Sequence, residues 1–487
     1  MGKKFNIIFL IVDALRAENL SCYGYPKLTS PNIDSLAKDG VLFENAYSCV
    51  DHTDPSFTTI FSGKYPLSHG IIHHGEEIED REITEFYLTE TKLLSQILKS
   101  KGYYTAAIDW LGRWHKEGYD FYGESEEKPK YTERYRISFR ERAGKYVAKL
   151  PHPIQSTIKR AWKLMGFSQP PKQEARNYTN LAINLLKKLQ GQNFFLLIHY
   201  WDTHTPFDTI PASYIKKFRE RKSNESVKEM LNKIECPEWR DKVKHYHLRG
   251  IKYIDEITAK YNAAINFVDS EIGRLINFLK KEGIYDQTLI VLTGDHGDNH
   301  MRDGIFVGHF GLYERVIHVP LILAGGGLPS NRRVKSFVQH IDIVPTILDI
   351  LSIDSNSFYF DGKSLLPLIY GKEKQLRSEV YAMEAARQRF AIRTENYKYI
   401  YSPSEEDLFH IFWKKKGISF RPVYNSVVEL YDLKKDPQEN RNIVEKKPEI
   451  AKKMEDQLLV WIEKLKAKKE KVKLKNKIKR LKNLGKI

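Results

Sequence analysis

Polar side chains with the character of metal ligands follow two apolar runs of the chain. Asp13 comes directly after the run 6–12, and the pair Asp295-His296 lies between two glycines after the run 288–293. A carboxylate at a strand end suits a hard divalent cation, and an adjacent imidazole can bind the same ion. Taken alone, each segment is equally well explained by a capping aspartate or a glycine-bounded turn.

A hydroxyl residue opens the segment Thr53 to Ser56, in which Pro55 is typical of a first helical turn. A hydroxyl at the amino end of a helix faces the positive end of the helix dipole, which favours an attached anionic group. A metal ion bound to that oxygen would lower its pKa and make it a nucleophile. The competing interpretation is that Thr53 is only an N-cap.

A third polar cluster, with Asp202 and His204, follows the apolar run 194–200. His204 could donate to a phosphate or sulfate oxygen, or protonate a leaving group. A lone loop histidine is usually not catalytic, but here three clusters end three runs of one inferred sheet. Because chemistry collects at the carboxyl ends of parallel strands, each cluster supports the other two.

The clusters require a sheet that brings these runs together. Buried apolar runs alternate with helical patterns, which predicts an α/β fold with a large, mostly parallel sheet covered by helices on both faces. The predicted central strands are Asn6–Val12, Tyr104–Ile108, Phe194–Tyr200, Thr288–Thr293 and Val319–Leu323.

The pattern of predicted secondary structure changes after about residue 375. Short strands at Phe390–Arg393, Tyr397–Tyr401 and Val427–Leu433 predict a small C-terminal antiparallel subdomain. A closing helix carries an apolar face, made of Met454, Leu458, Ile462 and Leu465. We therefore expect a catalytic domain at 1–375 with a basic insertion at about 124–172, a subdomain at 376–450 and a basic helical tail at 451–487.

The net charge of the 487-residue chain, +17, is concentrated near its end. From Lys464 to Ile487 there are 12 basic residues and one acidic residue, a local charge of +11. This tail is either a solvated helix or a segment that binds an acidic membrane surface or polymer. No nucleic-acid motif accompanies it, so we expect no specific nucleic acid recognition.

Three cysteines form neither a disulfide nor a zinc pattern, and the first apolar run is too short to span a membrane. The sequence therefore predicts a cytoplasmic protein, peripheral to the membrane if the tail binds lipid.

In their order along the chain, these motifs resemble those of the sulfatase family within the alkaline phosphatase superfamily. The segment 53–65 is similar to the family's nucleophile signature, Gly112 to His115 to its Gly-Lys-Trp-His segment, and 429–442 to its C-terminal signature. The resemblance covers Phe5 to about Glu445 and implies the family's fold and metal-dependent ester hydrolysis. The residues that it implies for metal binding are Asp13, Thr53, Asp295 and His296. Those that it implies for catalysis are Thr53, Arg113, His115, His204 and His309.

Departures from the family pattern change the expected chemistry. Sulfatases carry a Cys or Ser that is oxidised to formylglycine, whereas Thr53 cannot become that aldehyde. Phe57 and Ala14 replace a family arginine and aspartate, and Arg113 and His309 stand where the family has lysines. Phosphate-handling relatives use threonine at the nucleophile position. We therefore expect a phosphate mono- or diester hydrolase rather than a sulfate ester hydrolase.

Three alternatives stay open at this point. Two are a sulfuric ester hydrolase with an unmodified hydroxyl and a phosphoryl-group transferase. The third, of another class, is a non-catalytic polymer- or membrane-binding relative. The expected cofactor is one divalent cation, with Mn²⁺, Zn²⁺, Mg²⁺ and Ca²⁺ unresolved, and Asp202, His204 and His309 are candidates for a second metal ion. An anionic ester is the expected substrate.

Overall fold

The computed structural model describes residues 5–123, 174–189, 191–220, 225–232, 234, 240–241, 243–300, 307–385, 389–402 and 428–483. The basic insertion expected at 124–172 lies outside the described residues. No helix in the described part of the chain is long and apolar enough to cross a membrane.

Eight strands form the large sheet. They are β1 (Asn6–Val12), β2 (Gly40–Tyr47), β3 (Tyr104–Ile108), β4 (Phe121–Tyr122), β5 (Phe194–Tyr200), β6 (Thr288–Gly294), β7 (Leu321–Gly325) and β8 (Arg332–Gln339). Their order across the sheet is β4-β3-β5-β1-β6-β7-β2-β8. All neighbours are parallel except at β7, which runs antiparallel to β6 and β2. The predicted α/β fold with a mostly parallel sheet is confirmed.

The direction of β7 follows from the connection that precedes it. Parallel neighbours need a crossover that returns the chain to the opposite edge of the sheet, usually through a long helix. Within the described part of the connection from β6 to β7, the one α-helix is the four-residue Glu314–Ile317. The chain therefore re-enters the sheet at the edge where β6 left it.

Helices cover both faces of the sheet. They are α1 (Pro31–Lys38), α2 (Thr53–Ser62), α3 (Pro66–His69), α4 (Asp80–Leu88), α5 (Leu94–Ser100), α6 (Ala175–Lys188), α7 (Ala212–Phe218), α8 (Val227–Asn232), α9 (Ile254–Lys281), α10 (Glu314–Ile317), α11 (Ile343–Ile350), α12 (Leu366–Ile369) and α13 (Pro448–Asn483). Alternate residues of β1 enter two different cores. Ile8 and Leu10 pack with α1, α6 and α9, whereas Ile7 and Phe9 pack with α2, α5 and α11.

The C-terminal part forms a second sheet, as predicted. Its strands are β9 (Glu379–Met383), β10 (Phe390–Thr394), β11 (Tyr397–Tyr401) and β12 (Val428–Asp432), all antiparallel to their neighbours. Met454, Leu458 and Ile462 of α13 pack against this sheet. Leu465 instead joins Cys49 and Tyr65 of the large domain. The division of the chain near residues 375 and 450 stays a prediction, and α13 runs through the second of these positions.

Candidate active site

Three neighbouring strands deliver the predicted metal ligands to one edge of the sheet. Val12 of β1 pairs with Tyr200 of β5 and with Gly294 of β6, so these strands end at the same level. Asp13 and Asp295 are the next residues of β1 and β6. One ligand atom from each of Asp13, Asp295 and His296 lies within 4.8 Å of the other two, and all three side chains are buried.

The turn after β1 is held in a conformation that places Asp13 beside Asp295. Ala14 has φ 56°, in the left-handed region that costs a non-glycine residue free energy. Its N–H donates to Asp295 Oδ1 at 3.1 Å, and its carbonyl accepts from the Tyr261 hydroxyl at 2.7 Å. Hydrogen bonds on both sides of Ala14 therefore stabilise the strained turn.

The donor set of this group fits a divalent cation. Asp13 Oδ1 and Asp295 Oδ2 are buried and have no hydrogen-bond partner among the described residues. Two buried carboxylate oxygens without donors are costly unless a cation compensates them. His296 Nδ1 donates to the Gly297 carbonyl at 2.8 Å, which leaves Nε2, 3.3 Å from Asp295 Oδ2, as a ligand atom.

The charges around the group perturb both carboxylates. Burial raises the pKa of Asp13, but His204, His199 and His296 outweigh burial, so its pKa lies below the ordinary value. Burial and then the neighbouring Asp13 raise the pKa of Asp295. The two carboxylates therefore repel each other at the point where a cation would bind.

Thr53 lies beside this group at the start of α2. It is the first helical residue, the extended residue His52 is the N-cap, and no side chain caps the helix. Thr53 Oγ1 instead lies 3.3 Å from His296 Nε2. The Asp295 carbonyl accepts from the Ser56 hydroxyl at 2.7 Å, which joins α2 to the end of β6. The simple N-cap interpretation of Thr53 is therefore wrong.

Two of the predicted histidines lie next to the metal-ligand group. The His309 ring stacks on that of His296 with centroids 4.2 Å apart, and His309 Nδ1 donates to the Asp51 carbonyl at 2.6 Å. Burial, followed by His296, lowers the pKa of His309 well below its ordinary value. The His204 ring lies 5.6 Å from that of His309 and donates from Nδ1 to the Thr205 carbonyl at 2.5 Å.

Arg113 and His115 reach the site by a different route. They lie on a short 3₁₀ segment, Arg113–Lys116. His115 Nε2 donates to Asp54 Oδ1 at 3.1 Å, and Arg113 donates from Nη2 to the Gly75 carbonyl at 2.9 Å. His115 is thus tied to the start of α2 and Arg113 to the loop at Gly75, rather than to the Asp13 and Asp295 carboxylates.

Sequence reasoning missed the partner of Asp13 within β5. His199 is fully buried; its Nδ1 donates to Asp109 Oδ1 at 2.8 Å, and its Nε2 lies 3.7 Å from Asp13 Oδ2. Burial lowers the pKa of His199, but Asp109 and Asp13 outweigh it and raise the pKa to about 10. A histidine inside the otherwise apolar run Phe194–Tyr200 is the signal that could have identified it.

Two further histidines, His52 and His74, were also missed. The His52 ring lies 4.3 Å from the ring of His309 and 5.8 Å from the ring of His74. His52 Nδ1 donates to Asp51 Oδ1 at 2.8 Å. Asp51 lies two positions before Thr53 and contacts His52 and His309. Asp54 follows Thr53 directly and contacts His74 and His115.

An α/β sheet with a buried Asp-Asp-His group at its carboxyl edge, next to a hydroxyl at the start of a helix, is an arrangement that suits a metal-dependent ester hydrolase. Comparison with known families identifies which one. The sulfatase family matches residues 5–353, and the C-terminal region of N-sulphoglucosamine sulphohydrolase matches residues 303–468. The chain belongs to the sulfatase family. The prediction of a hydrolase that acts on ester bonds is confirmed.

Individual relatives are distant but cover most of the chain. Uncharacterized sulfatase YidJ of Escherichia coli is 24% identical over an alignment of 496 residues, gaps included, that covers 95% of this chain and 88% of the relative. The N-acetylglucosamine-6-O-sulfatase of Bacteroides thetaiotaomicron is 24% identical, covering 93% and 85%. The solved phosphonate monoester hydrolase of Agrobacterium radiobacter superposes with a TM-score of 0.66 at 21% identity, covering 96% of each chain. The last likeness shows the shared fold.

Proposed function

We propose that this sulfatase-family hydrolase cleaves phosphate mono- or diesters in preference to sulfate esters, with the Thr53 hydroxyl as its nucleophile. The observation that carries the proposal is the position of Thr53 Oγ1. It lies at the amino end of α2 and 3.3 Å from the Nε2 of His296. That position is suited both to activation of the hydroxyl and to holding an anionic group on it.

Asp13, Asp295, His296 and Thr53 are the residues that would hold the cation. Their oxygen and nitrogen donors suit Mn²⁺, Zn²⁺, Mg²⁺ or Ca²⁺, and none of them is a thiolate. When bound, a divalent cation supplies positive charge that lowers the pKa of a neighbouring hydroxyl and offsets the charge of the substrate. Among the described residues one such group of three or more ligands is found, so a second metal ion has no observation in its support.

The chain's own residues then account for two displacement steps. In the first, the Thr53 hydroxyl loses its proton to solvent and its Oγ forms a bond to phosphorus while the bond from phosphorus to the ester oxygen breaks, and His204 protonates that leaving oxygen. In the second, a water oxygen bonds to phosphorus and gives a proton to His204, the bond from phosphorus to Thr53 Oγ breaks, and Oγ takes up a proton from solvent. His115, His309 and Arg113 stabilise charge on the phosphoryl oxygens.

The preference for phosphate rests on charge and on the identity of residue 53. A phosphate monoester carries more negative charge than a sulfate ester, so it gains more from the cation, Arg113 and the histidines. A threonine cannot supply the aldehyde on which the family's sulfatases depend. The relatives leave the choice open, because two are named sulfatases and a third is a phosphonate monoester hydrolase.

Two other activities remain as alternatives. A sulfuric ester hydrolase that uses the unmodified Thr53 hydroxyl would need the same site. A phosphoryl-group transferase would use an acceptor alcohol in place of water in the second step. A non-catalytic binding protein is not supported, because the chain belongs to a family of ester hydrolases and a pure binding surface has no need of the buried ligand group.

The test is a side-by-side assay of the metal-loaded protein. We expect hydrolysis of an aryl phosphate, an aryl phosphodiester or an aryl phosphonate ester at a higher kcat/KM than that of an aryl sulfate with the same leaving group. Release of the aryl alcohol without inorganic phosphate, in the presence of an added alcohol, would identify a transferase. Faster cleavage of the aryl sulfate than of every phosphorus ester would overturn the proposal.

We also propose that the basic tail holds the protein at an acidic membrane surface. The structure divides its lysines into two groups. Lys468 pairs with Asp361 at 2.7 Å, and Lys469 pairs with Glu85 on α4. Lys471, Lys475 and Lys477 are exposed, and so are the apolar side chains of Leu474 and Ile478. Lysines beside exposed apolar side chains are typical of helices at a lipid interface. A cytoplasmic location is part of the same proposal.

A further inference from the structure

The residue that follows the proposed nucleophile is a fully buried carboxylate with two imidazole partners. Asp54 Oδ1 accepts from His115 Nε2 at 3.1 Å. Asp54 Oδ2 lies 2.8 Å from His74 Nδ1 and accepts from the Gly75 backbone N–H at 2.9 Å. His74 Nδ1 also lies 3.3 Å from the Asp54 backbone nitrogen. The shorter contact, to a carboxylate, places the proton on His74 Nδ1.

His74 is more exposed than the two buried histidines nearest to it, His52 and His115. His115 and His52 are buried, whereas the His74 side chain is 28% exposed. Its Nε2 has no hydrogen-bond partner among the described residues. The ring lies 5.8 Å from that of His52, which in turn lies 4.3 Å from His309 beside the metal-ligand group. His74 therefore lies at the partly exposed edge of this cluster of histidines.

The loop that carries His74 is fixed from two sides. The Glu82 carboxylate on α4 accepts from the backbone N–H groups of Ile72 and His73, at 2.7 and 3.1 Å, and lies 2.7 Å from His73 Nδ1. On the other side, Arg113 donates to the Gly75 carbonyl at 2.9 Å. Because the backbone is held before and after His74, its imidazole is preorganised and loses little entropy when it contacts a ligand.

We propose that His74 contacts the charged oxygens of the substrate and, positioned by Asp54, makes the site selective for doubly charged phosphate monoesters over singly charged diesters. The inference rests on the proposed function and narrows its substrate class. Asp54 carries one negative charge and contacts two imidazoles, so it can balance only one imidazolium. An anion bound beside His74 supplies further negative charge to this pair of imidazoles. A monoester carries close to two negative charges at neutral pH and a diester one, so the monoester gains more from the pair.

The decisive variant is His74→Gln, which keeps a hydrogen-bonding side chain of similar length but removes the charge. We expect KM for an aryl phosphate monoester to rise about 10-fold, with kcat changed less than 3-fold. The diester with the same leaving group should change less than 3-fold in kcat/KM. His245→Gln is the matched control, because His245 is an exposed histidine on a separate segment, 243–247, and we expect native constants for both substrates.

Asp54→Asn tests the positioning role of the carboxylate. The amide oxygen can accept from only one of the two imidazoles, so His74 loses its fixed orientation. We expect the same selective loss of monoester affinity, together with a lower kcat for both esters because His115 also loses its carboxylate partner. In the double variant with His74→Gln, KM for the monoester should exceed that of the more severely affected single variant by no more than about 2-fold, because both changes remove the same interaction. Strict multiplication of the two single effects would contradict the positioning role.

The outcomes separate this inference from the proposed function. Equal loss of monoester and diester hydrolysis in His74→Gln, or no loss of either, overturns the role of His74 while Thr53-dependent phosphate hydrolysis stands. A native protein that prefers the diester also overturns it. A native protein that cleaves only the aryl sulfate instead overturns the proposed function itself.

Discussion

Thr53 Oγ1 and His296 Nε2 lie 3.3 Å apart, although 243 residues separate them in the chain. The contact joins the amino end of α2 to the end of β6 at the carboxyl edge of the large sheet. It brings the proposed nucleophile to the buried carboxylates of Asp13 and Asp295.

Replacing the proposed nucleophile should separate catalysis from metal binding. We expect Thr53→Ala to lower kcat for an aryl phosphate by about 10³-fold or more, the scale of losing a nucleophile elsewhere. Thr53→Ser should retain activity because the attacking oxygen survives. Metal content, measured by elemental analysis, should stay at one ion in both variants, since three ligands remain. Native turnover by Thr53→Ala would contradict the proposed role of Thr53 as the nucleophile.

Removing one buried carboxylate charge should raise the melting temperature of the metal-free protein and abolish the stabilisation that a bound metal ion provides. Asp13 Oδ1 and Asp295 Oδ2 lack hydrogen-bond donors, so the metal-free protein carries a repulsion that Asp295→Asn relieves. We expect the variant to melt at a higher temperature than the native protein after chelation. Added Mn²⁺ or Zn²⁺ should then raise the melting temperature of the native protein but not that of the variant. An equal metal-induced rise in both would contradict the ligand assignment.

The buried histidine of β5 should act on the metal site through Asp13. His199 lies between Asp109, at 2.8 Å, and Asp13, at 3.7 Å. Loss of such an orienting partner typically weakens metal affinity roughly 10- to 100-fold. We expect a loss of this size in His199→Gln and a comparable one in Asp109→Asn, measured by competition with a chelating dye. Native metal affinity in both variants would show that His199 serves packing alone.

A buried ion-pair network joins the small sheet to the large domain. Lys398 of β11 is fully buried and lies 2.8 Å from both Glu314 and Glu439. Removing one partner of a buried pair leaves uncompensated charge, so Lys398→Met should lower the free energy of unfolding by roughly 3–5 kcal/mol. The exposed Lys335→Met serves as the control and should stay within about 0.5 kcal/mol of the native value. Denaturant titration at pH 7 measures both.

The same network should make stability depend on pH. Burial raises the pKa of Glu314, but Lys398, Arg393 and His318 outweigh it, so its folded pKa lies well below the ordinary value of 4.5. A depressed carboxyl pKa contributes stability that is present above the unfolded value and is lost as pH falls below about 4.5. Glu314→Gln should therefore show a shallower loss of stability below that pH. Parallel pH profiles of the two proteins would contradict this assignment.

The exposed lysines of the tail should act on membrane binding but not on chemistry. Lys471, Lys475 and Lys477 are exposed, so changing all three to Glu disturbs neither of the tail's ion pairs with Asp361 and Glu85. We expect the free energy of binding to anionic vesicles, measured by co-sedimentation, to weaken by about 1 kcal/mol for each lysine lost. Turnover of a soluble aryl ester should be unchanged. Three exposed lysines elsewhere, Lys372, Lys374 and Lys434, provide the control. Equal vesicle binding by both triple variants would refute a specific role for the tail.

Much of the secondary structure could be predicted because burial imposes a local signature. The bounds of β1, β3, β5 and β11 agree residue for residue with the predicted strands. Strands β2 and β8 were missed, since polar residues such as Glu44, Asn45 and Lys335 interrupt their apolar pattern. The α/β class followed from the alternation of runs and helices, which is a property of neighbouring residues.

The amino-acid sequence by itself determined which side chains end the strands and open α2, and thereby the candidate ligands Asp13, Thr53, Asp295 and His296. It could not determine the antiparallel direction of β7, because that depends on how a connection crosses the sheet. It also could not pair His199 with Asp109, or His74 and His115 with Asp54. These pairs are set by which elements pack side by side, and residues 20 to 90 positions apart carry no local pattern that names their partner. Only the tertiary structure decided those contacts, because it buries Asp109 within reach of His199, and Asp54 within reach of His74 and His115.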